Sequence, residues 1–160
     1  MVAGNCVILI FLDMSVAFDK VVHDVLLDRL ANRFNVRDVV LSWFSSYLRN
    51  RKQFVGINES SSCLVNLDVG VLQGSVLGPL LYLLYTSPLA DVVKRHNVSY
   101  HFYADDSQLY LSFKGHQQLA QSRQSLEQCL TDISSWMLAN GLKLNQIGRA
   151  SCRERVSSPV

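Results

Sequence analysis

The chain has 160 residues, of which 49% are hydrophobic, 15 are Lys or Arg and 13 are Asp or Glu. This length and apolar content suit one globular domain with a real core and are too small for two comfortable domains. The net charge of +2 is far weaker than that of a protein that coats nucleic acid. Charge alone therefore does not identify the partner.

The cysteines and histidines favour neither a disulfide framework nor a metal site. The four cysteines contain no CxxC pair, and the four histidines have no metal-ligand spacing with them. We expect reduced thiols in an intracellular protein of the nucleus or cytoplasm. The uncharged stretch 69–90 is long enough to span a bilayer, but glycines, prolines and polar residues interrupt it. A buried helix between glycine turns is predicted there, and no membrane partner.

The first half of the chain predicts one strand, two helices and a hairpin. The continuous apolar run 7–12 is typical of a central strand covered on both faces, and it ends at Asp13. Helical spacing predicts amphipathic helices over 24–34 and 38–48, the second capped by Asp38. Strand-like runs at 53–58 and 63–69 flank a polar turn and predict a hairpin.

The second half predicts a helix, two strands, a long helix and a returning strand. After the glycine-rich turn 70–78 a helix starts near Pro79, since proline is tolerated in a first turn. Residues 100–113 predict two short strands, 117–140 a helix that ends at a left-handed Gly141, and 142–144 a strand. With an insertion at about 24–69 set aside, the order is βαββαβ. This order predicts an α+β fold with a ferredoxin-like sheet.

Acidic residues stand where two of these strands end. Asp13 follows the first strand and Asp105-Asp106 lies between two later ones, so we expect the sheet to bring the carboxylates together. Such a cluster repels itself unless divalent cations intervene, and Mg²⁺ is held in proteins by one or two carboxylates and substrate phosphates. Each signal is weak by itself, because Asp is also an ordinary turn or cap residue.

With their flanks, the acidic segments resemble polymerase motifs of LINE-type (non-LTR, jockey-like) reverse transcriptases. Residues 11–19 (FLDMSVAFD) resemble motif A, residues 70–79 (GVLQGSVLGP) motif B and residues 102–106 (FYADD) motif C. The motifs occur in family order, and residues 141–145 (GLKLN) are also similar to the jockey-like branch. The resemblance covers roughly 7–145 and implies a polymerase palm with a partial helical and hairpin fingers insertion.

The resemblance implies RNA-directed DNA polymerisation on an RNA template with a DNA primer and deoxynucleoside triphosphates. It makes Asp13 and Asp105 ligands of two Mg²⁺ ions, with Mn²⁺ as a possible substitute, and Asp106 a supporting carboxylate. One ion would activate the primer 3′-hydroxyl, and the other would hold the triphosphate and neutralise the departing pyrophosphate.

Further residues take nucleotide and primer roles from the same resemblance. Phe18 falls where the family places an aromatic gate against the ribose 2′-hydroxyl, although plain core packing also explains an apolar side chain. Gln73, Gly74 and Ser75 would lie beside the incoming nucleotide, or they only form a glycine turn. Tyr103 would pack near the primer end, or it fills the sheet.

The basic segment Arg49, Arg51 and Lys52 either follows template phosphate or is a solvated loop, and we favour the loop. Gly148 stands where the family has a lysine that would protonate pyrophosphate. We therefore expect a partial domain at 1–145, without upstream fingers segments, thumb and accessory domains, and a disordered foreign tail at 146–160. Such a fragment is expected to be inactive alone.

Two alternatives from other classes stay open. A non-enzymatic nucleic-acid-binding or merely folded remnant of a decayed retrotransposon agrees with the truncation, whereas the intact acidic residues argue against decay of the metal site. A two-metal nuclease would need a water-positioning base near the carboxylates, and motif B favours nucleotide binding instead.

Overall fold

The computed structural model describes residues 5–14, 17–103, 106–114, 118–145 and 150–154. These residues fall into two compact units, one drawn from 1–15 and 86–160 and the other from 16–85. The elements in chain order are β1 (Asn5–Leu12), a 3-10 helix (Phe18–Lys20), α1 (His23–Asn32), α2 (Asp38–Leu48), β2 (Arg51–Gln53), β3 (Gly56–Ile57), β4 (Ser60–Ser61), β5 (Val65–Leu67), α3 (Gly78–Thr86), α4 (Leu89–Lys94), β6 (Ser99–Tyr103), β7 (Asp106–Lys114), α5 (Leu119–Ala139) and β8 (Ala150–Glu154).

The first unit is an antiparallel sheet in the order β6-β7-β1-β8, with α4 and α5 against β6 and β7. Alternate residues of β7 are buried, namely Ser107, Leu109 and Phe113. They meet the apolar stripe of α5, which recurs every three or four residues as Leu126, Cys129, Ile133 and Met137. Burial of one such aliphatic side chain stabilises the fold by about 1.5–3 kcal/mol, so this layer holds the sheet in place.

Among the described residues of the first unit, α4 and α5 both lie on one side of the sheet, and the other side is called the open face. Phe11, Tyr103 and Tyr110 are 43%, 73% and 41% exposed on this open face. The prediction that the first strand is central is confirmed, since β1 lies between β7 and β8. The prediction that both of its faces are covered is wrong at Phe11, because apolar content reports a tendency to be buried and not the number of layers present.

The end of the chain differs from the sequence prediction at five residues. Ala150–Glu154 form β8, which pairs with β1, where disorder was predicted over 146–160. The free edge of β1 offers unpaired N–H and C=O groups, and an extended segment of almost any sequence can satisfy them. Residues 146–149 and 155–160, with Gly148 among them, lie outside the described residues.

Where a strand was predicted at 142–144, the structure has one isolated bridge, between Met14 and Leu144. The helix before it agrees with its prediction, and Gly141 has a φ of +69°, the left-handed conformation expected after a helix. The short helix α4 was not predicted, because its six residues are too few to show a clear helical period.

The second unit contains the two predicted amphipathic helices and the predicted hairpin. Asp38 is the first residue of α2 and has a φ of +49°, with Arg37 at the cap position, so the predicted Asp38 cap is wrong. In the hairpin, β2 pairs with β5 and β3 with β4. The core consists of large buried side chains from the helices, namely Leu26, Leu30, Leu48, Leu81, Tyr82 and Tyr85.

No helix in the described part of the chain combines the length and the apolar content needed to cross a membrane. The uncharged stretch at 69–90 instead contains a loop and α3, so the predicted helix is confirmed. Its predicted burial holds for one face only, because Leu80 and Leu83 are 48% and 40% exposed.

Candidate active site

Two of the three predicted carboxylates lie at neighbouring positions of the first unit. Asp13 follows β1 directly, and Asp106 is the first residue of β7. The ladder between β1 and β7 ends at the pair of Leu12 and Ser107, and Asp13 and Asp106 are the next residue of the chain on either side of that pair.

The two carboxylates are on the open face of the sheet. Leu12 and Ser107, one step earlier in the register, are buried towards the helices, whereas Asp13 and Asp106 are exposed. The alternation of side chains along a strand explains this difference. Asp105 lies outside the described residues, so its predicted convergence with Asp13 stays a prediction.

Asn145 makes two hydrogen bonds to Asp13. Its backbone N–H donates to the carbonyl oxygen of Asp13 over 2.9 Å, and its side-chain Nδ2 donates to the carboxylate Oδ2, also over 2.9 Å. The bridge between Met14 and Leu144 brings the two segments side by side. The segment after α5 therefore reaches the carboxylate that ends β1.

The described residues of this site suit a divalent cation only in part. Among them, no group of three or more His, Cys, Asp and Glu side chains could hold a metal ion. Mg²⁺ uses fewer protein ligands than that, because it is held by one or two carboxylates together with waters and substrate phosphates. Asp13 and Asp106, both acidic, exposed and on one face, fit that requirement.

Tyr103 lies beside Asp106, where β6 and β7 pair. It is the last residue of β6, pairs in register with Asp106 and is 73% exposed. A tyrosine that only filled the sheet would be covered, so sheet filling does not explain the exposed ring, and the place near the primer end stays a prediction.

The glycine-rich segment predicted as motif B forms a tight loop in the second unit. Gly74 has a φ of +80°, and a Cβ there would meet no atom within 4 Å, so this part of the loop borders open space. Ser75 Oγ donates to the carbonyl oxygen of Leu72 over 2.7 Å and accepts from the backbone N–H of Gly78 over 2.9 Å. The hydroxyl of Ser75 thus holds the loop against the start of α3.

A cavity of about 340 Å³ adjoins this loop within the second unit. Its lining includes residues 69–72 and the polar residues Asp19, Arg51, Gln53 and Gln73. A space of this size with a guanidinium, a carboxylate and two amides suits part of a polar ligand. Of the predicted nucleotide-binding residues Gln73, Gly74 and Ser75, Gln73 lines this cavity.

Phe18 begins the 3-10 helix and is only partly buried. Its ring lies 5.0 Å from the ring of Tyr82, centroid to centroid, and its carbonyl oxygen accepts from the backbone N–H of Val71. Core packing therefore accounts for one side of the ring and leaves part of it exposed. A role as steric gate stays a prediction.

Several residues in these sites had no role in the sequence predictions. Arg51 belonged to a basic cluster interpreted as a solvated loop, but it lines the cavity, and its guanidinium lies 5.5 Å from the ring centroid of Tyr47. Alternation along β2, which places Arg51 and Gln53 on one side of the strand, was the available signal. Asn145 had a signal only in its similarity to the jockey-like branch.

His23 is a buried residue of α1 that contacts the glycine-rich loop. The ring is 5% exposed and its Nε2 lies 2.7 Å from the carbonyl oxygen of Gly70. This histidine fixes the start of the glycine-rich loop.

Together, an antiparallel sheet open on one face and carboxylates at adjoining strand ends are features of a polymerase palm, an α+β domain. The family model described as "Reverse transcriptase (RNA-dependent DNA polymerase)" matches residues 2–147, and the chain belongs to that family. The family is one of nucleotidyltransferases.

Two similar curated proteins are transposon polymerases of Drosophila melanogaster. The chain is 34% identical over 144 residues to the "Probable RNA-directed DNA polymerase from transposon BS" and 28% identical over 140 residues to the "RNA-directed DNA polymerase from mobile element jockey". These alignments cover 85% and 84% of the chain and 15% of each relative. The resemblance to LINE-type, jockey-like reverse transcriptases is thereby confirmed, and the chain spans about 15% of the length of these relatives.

A solved structure of apo telomerase from Candida tropicalis, truncated from its C-terminal domain, matches the fold. The TM-score is 0.69 at 15% identity, over 96% of this chain and 32% of that one. An identity this low supports the fold alone. It confirms the predicted α+β, palm-like class.

Proposed function

We propose that this chain is the catalytic core of an RNA-directed DNA polymerase, which transfers deoxynucleotides to a primer 3′-hydroxyl on an RNA template. The observation that carries the proposal is that the exposed Asp13 and Asp106 directly adjoin the last pair of the β1–β7 ladder, in a member of the reverse transcriptase family. The open face would offer a template-primer a surface that α4 and α5 leave uncovered.

Asp13, Asp105 and Asp106 are the proposed metal ligands, and two Mg²⁺ ions, or Mn²⁺ in their place, would supply charge neutralisation for in-line transfer. The exposure of Asp13 and Asp106 supports this role, because buried carboxylates would be closed to substrate phosphates. Tyr103, next to them on the same face, is the proposed primer-proximal residue.

Gln73, Gly74 and Ser75 are the proposed nucleotide-binding loop, with Phe18 as the gate against the ribose 2′-hydroxyl. The open space at Gly74 supports a close approach of a ligand to the backbone, and the cavity beside Gln73 supports a polar one. Because Ser75 Oγ is engaged within the loop, its contribution is to hold the loop in shape.

The fold proposal extends to the ferredoxin-like sheet. The strand order β6-β7-β1-β8, antiparallel throughout, supports this arrangement, with β8 as the fourth strand in place of the predicted 142–144. The proposed partners are an RNA template, a DNA primer and deoxynucleoside triphosphates, with the remaining domains of a longer element protein in an intracellular location.

The test is primer extension by the transposon BS polymerase with these 160 residues exchanged for its aligned segment. We expect Mg²⁺-dependent extension on an RNA template, and its loss in the Asp13→Asn and Asp105→Asn variants. The matched control is Asp28→Asn, which removes an exposed carboxylate from α1. Extension that survives Asp13→Asn, or a chimera that binds template-primer without extending it, would contradict the proposal.

A further inference from the structure

Asn145 holds Asp13 by main chain and side chain at once, although 132 positions separate the two residues. The backbone bond aligns the segment after α5 with the end of β1, and the side-chain bond reaches the carboxylate itself. Both partners are exposed, so the contact adds little to the apolar core. A hydrogen bond to a carboxylate on the open face has a more direct effect on where that carboxylate points.

We infer that Asn145 is a positioning residue for Asp13, which fixes the carboxylate in the orientation that receives a divalent cation. The inference rests on the proposed function, in which Asp13 is a metal ligand. An exposed aspartate turns freely about its side-chain bonds, and each rotamer presents its oxygens differently. The bond from Asn145 Nδ2 engages Oδ2 and leaves Oδ1 for a cation.

An amide is chemically suited to this task. A carboxylate only accepts hydrogen bonds, whereas the NH₂ group of asparagine donates them, so the amide must present its nitrogen to the carboxylate oxygen. The amide is neutral, and Asp13 therefore keeps its full negative charge. A lysine or arginine in the same place would compete with the cation for that charge. Partners of this kind orient metal ligands in many proteins, and their removal weakens metal affinity by about 10–100-fold.

The chain contains a matched contact away from this site. Asn32 Nδ2 donates to Asp28 Oδ1 over 2.7 Å between exposed residues of α1. Asn145→Leu and Asn32→Leu each remove one amide–carboxylate hydrogen bond and replace asparagine by a side chain of similar shape. Leucine retains the backbone N–H, so the bond to the Asp13 carbonyl oxygen persists in Asn145→Leu.

The experiment titrates the 160-residue chain with Mn²⁺ and measures free Mn²⁺ by electron paramagnetic resonance. We expect Asp13→Asn to abolish most Mn²⁺ binding and Asn32→Leu to leave it unchanged. Asn145→Leu should weaken Mn²⁺ binding about tenfold, the lower end of the usual range for such partners, because the pair is exposed. Thermal unfolding without metal is measured in parallel. A purely structural role for Asn145 would lower the unfolding midpoint and leave the affinity of the folded chain for Mn²⁺ the same.

A spectroscopic signature gives a second measurement. Mg²⁺ should shift the side-chain amide resonances of Asn145 in the unmutated chain, and the shift should vanish in Asp13→Asn. The resonances of Asn32 should not move in either protein.

The outcomes separate the inference from the function on which it rests. If Asp13→Asn binds Mn²⁺ like the unmutated chain, or the unmutated chain neither binds Mn²⁺ nor responds to Mg²⁺, the proposed metal site is wrong and the inference fails with it. If Asp13→Asn loses binding while Asn145→Leu retains full affinity, the inference alone is overturned.

Discussion

Substitution of Ser75 by alanine tests whether this hydroxyl maintains the glycine-rich loop. The change removes the bond to the Leu72 carbonyl oxygen and the bond from the Gly78 N–H. A protein hydrogen bond contributes about 0.5–1.5 kcal/mol, and loss of a capping hydroxyl costs about 0.5–2 kcal/mol. Because Ser75 is partly exposed, water replaces some of the lost bonding. We expect Ser75→Ala to lower the free energy of unfolding by about 1–2 kcal/mol.

Urea denaturation of the 160-residue chain, followed by circular dichroism, measures this loss. The control is Ser61→Ala in β4, an exposed serine whose change should stay within about 0.5 kcal/mol of the unmutated chain. A Ser75→Ala variant as stable as the Ser61→Ala control would refute a structural role for the hydroxyl.

The substitution Gly78→Ala perturbs the same loop at the first residue of α3. A Cβ at Gly78 would stand 2.6 Å from the Leu72 carbonyl oxygen, closer than real contacts allow, so the loop must shift. We expect a loss of about 1–3 kcal/mol. Ser75 and Gly78 share the Leu72 carbonyl, so the double variant should lose less than the sum of the two single losses. Strictly additive losses would show that the two residues do not act on one loop conformation.

Three more predictions concern reactivity and activity. Burial, with a smaller contribution from Asp132, raises the pKa of the Cys129 thiol to about 11, so only about one part in a thousand is thiolate at pH 8. Iodoacetamide should therefore label the exposed Cys63 first, and Cys129 should react in the folded chain only as the pH nears 11. Equal labelling of the two cysteines at pH 8 would contradict this. In the transposon BS chimera, Phe18→Ala should relax discrimination against ribonucleotides, whereas Asp105→Asn should abolish all nucleotide incorporation. Kinetic assays with matched deoxy- and ribonucleotides measure both effects, and unchanged ribonucleotide rejection in Phe18→Ala would count against the gate. The isolated chain, which spans about 15% of the length of its relatives, should extend a primer poorly and should bind template-primer weakly and with strong salt dependence. Robust primer extension by this chain that is absent from an Asp105→Asn control would overturn the prediction.

The sequence alone determined the main elements and the family. The apolar run of β1, the helical period of α2 and α5 and the glycine that follows α5 are local patterns, and each gave an element close to its predicted bounds. The three motifs led to the family in the same way, because their residues are contiguous and keep their order along the chain.

Tertiary structure decided which distant residues meet. That Asn145 bonds to Asp13, that Phe11 is left uncovered and that Arg51 lines a cavity beside Gln73 all depend on pairing between segments far apart in sequence. Pairing of this kind reflects sheet register and the placement of whole helices, to which every core contact contributes and which no local window encodes. The strand β8 belongs with these contacts, because an open sheet edge accepts a partner through backbone groups that every sequence carries.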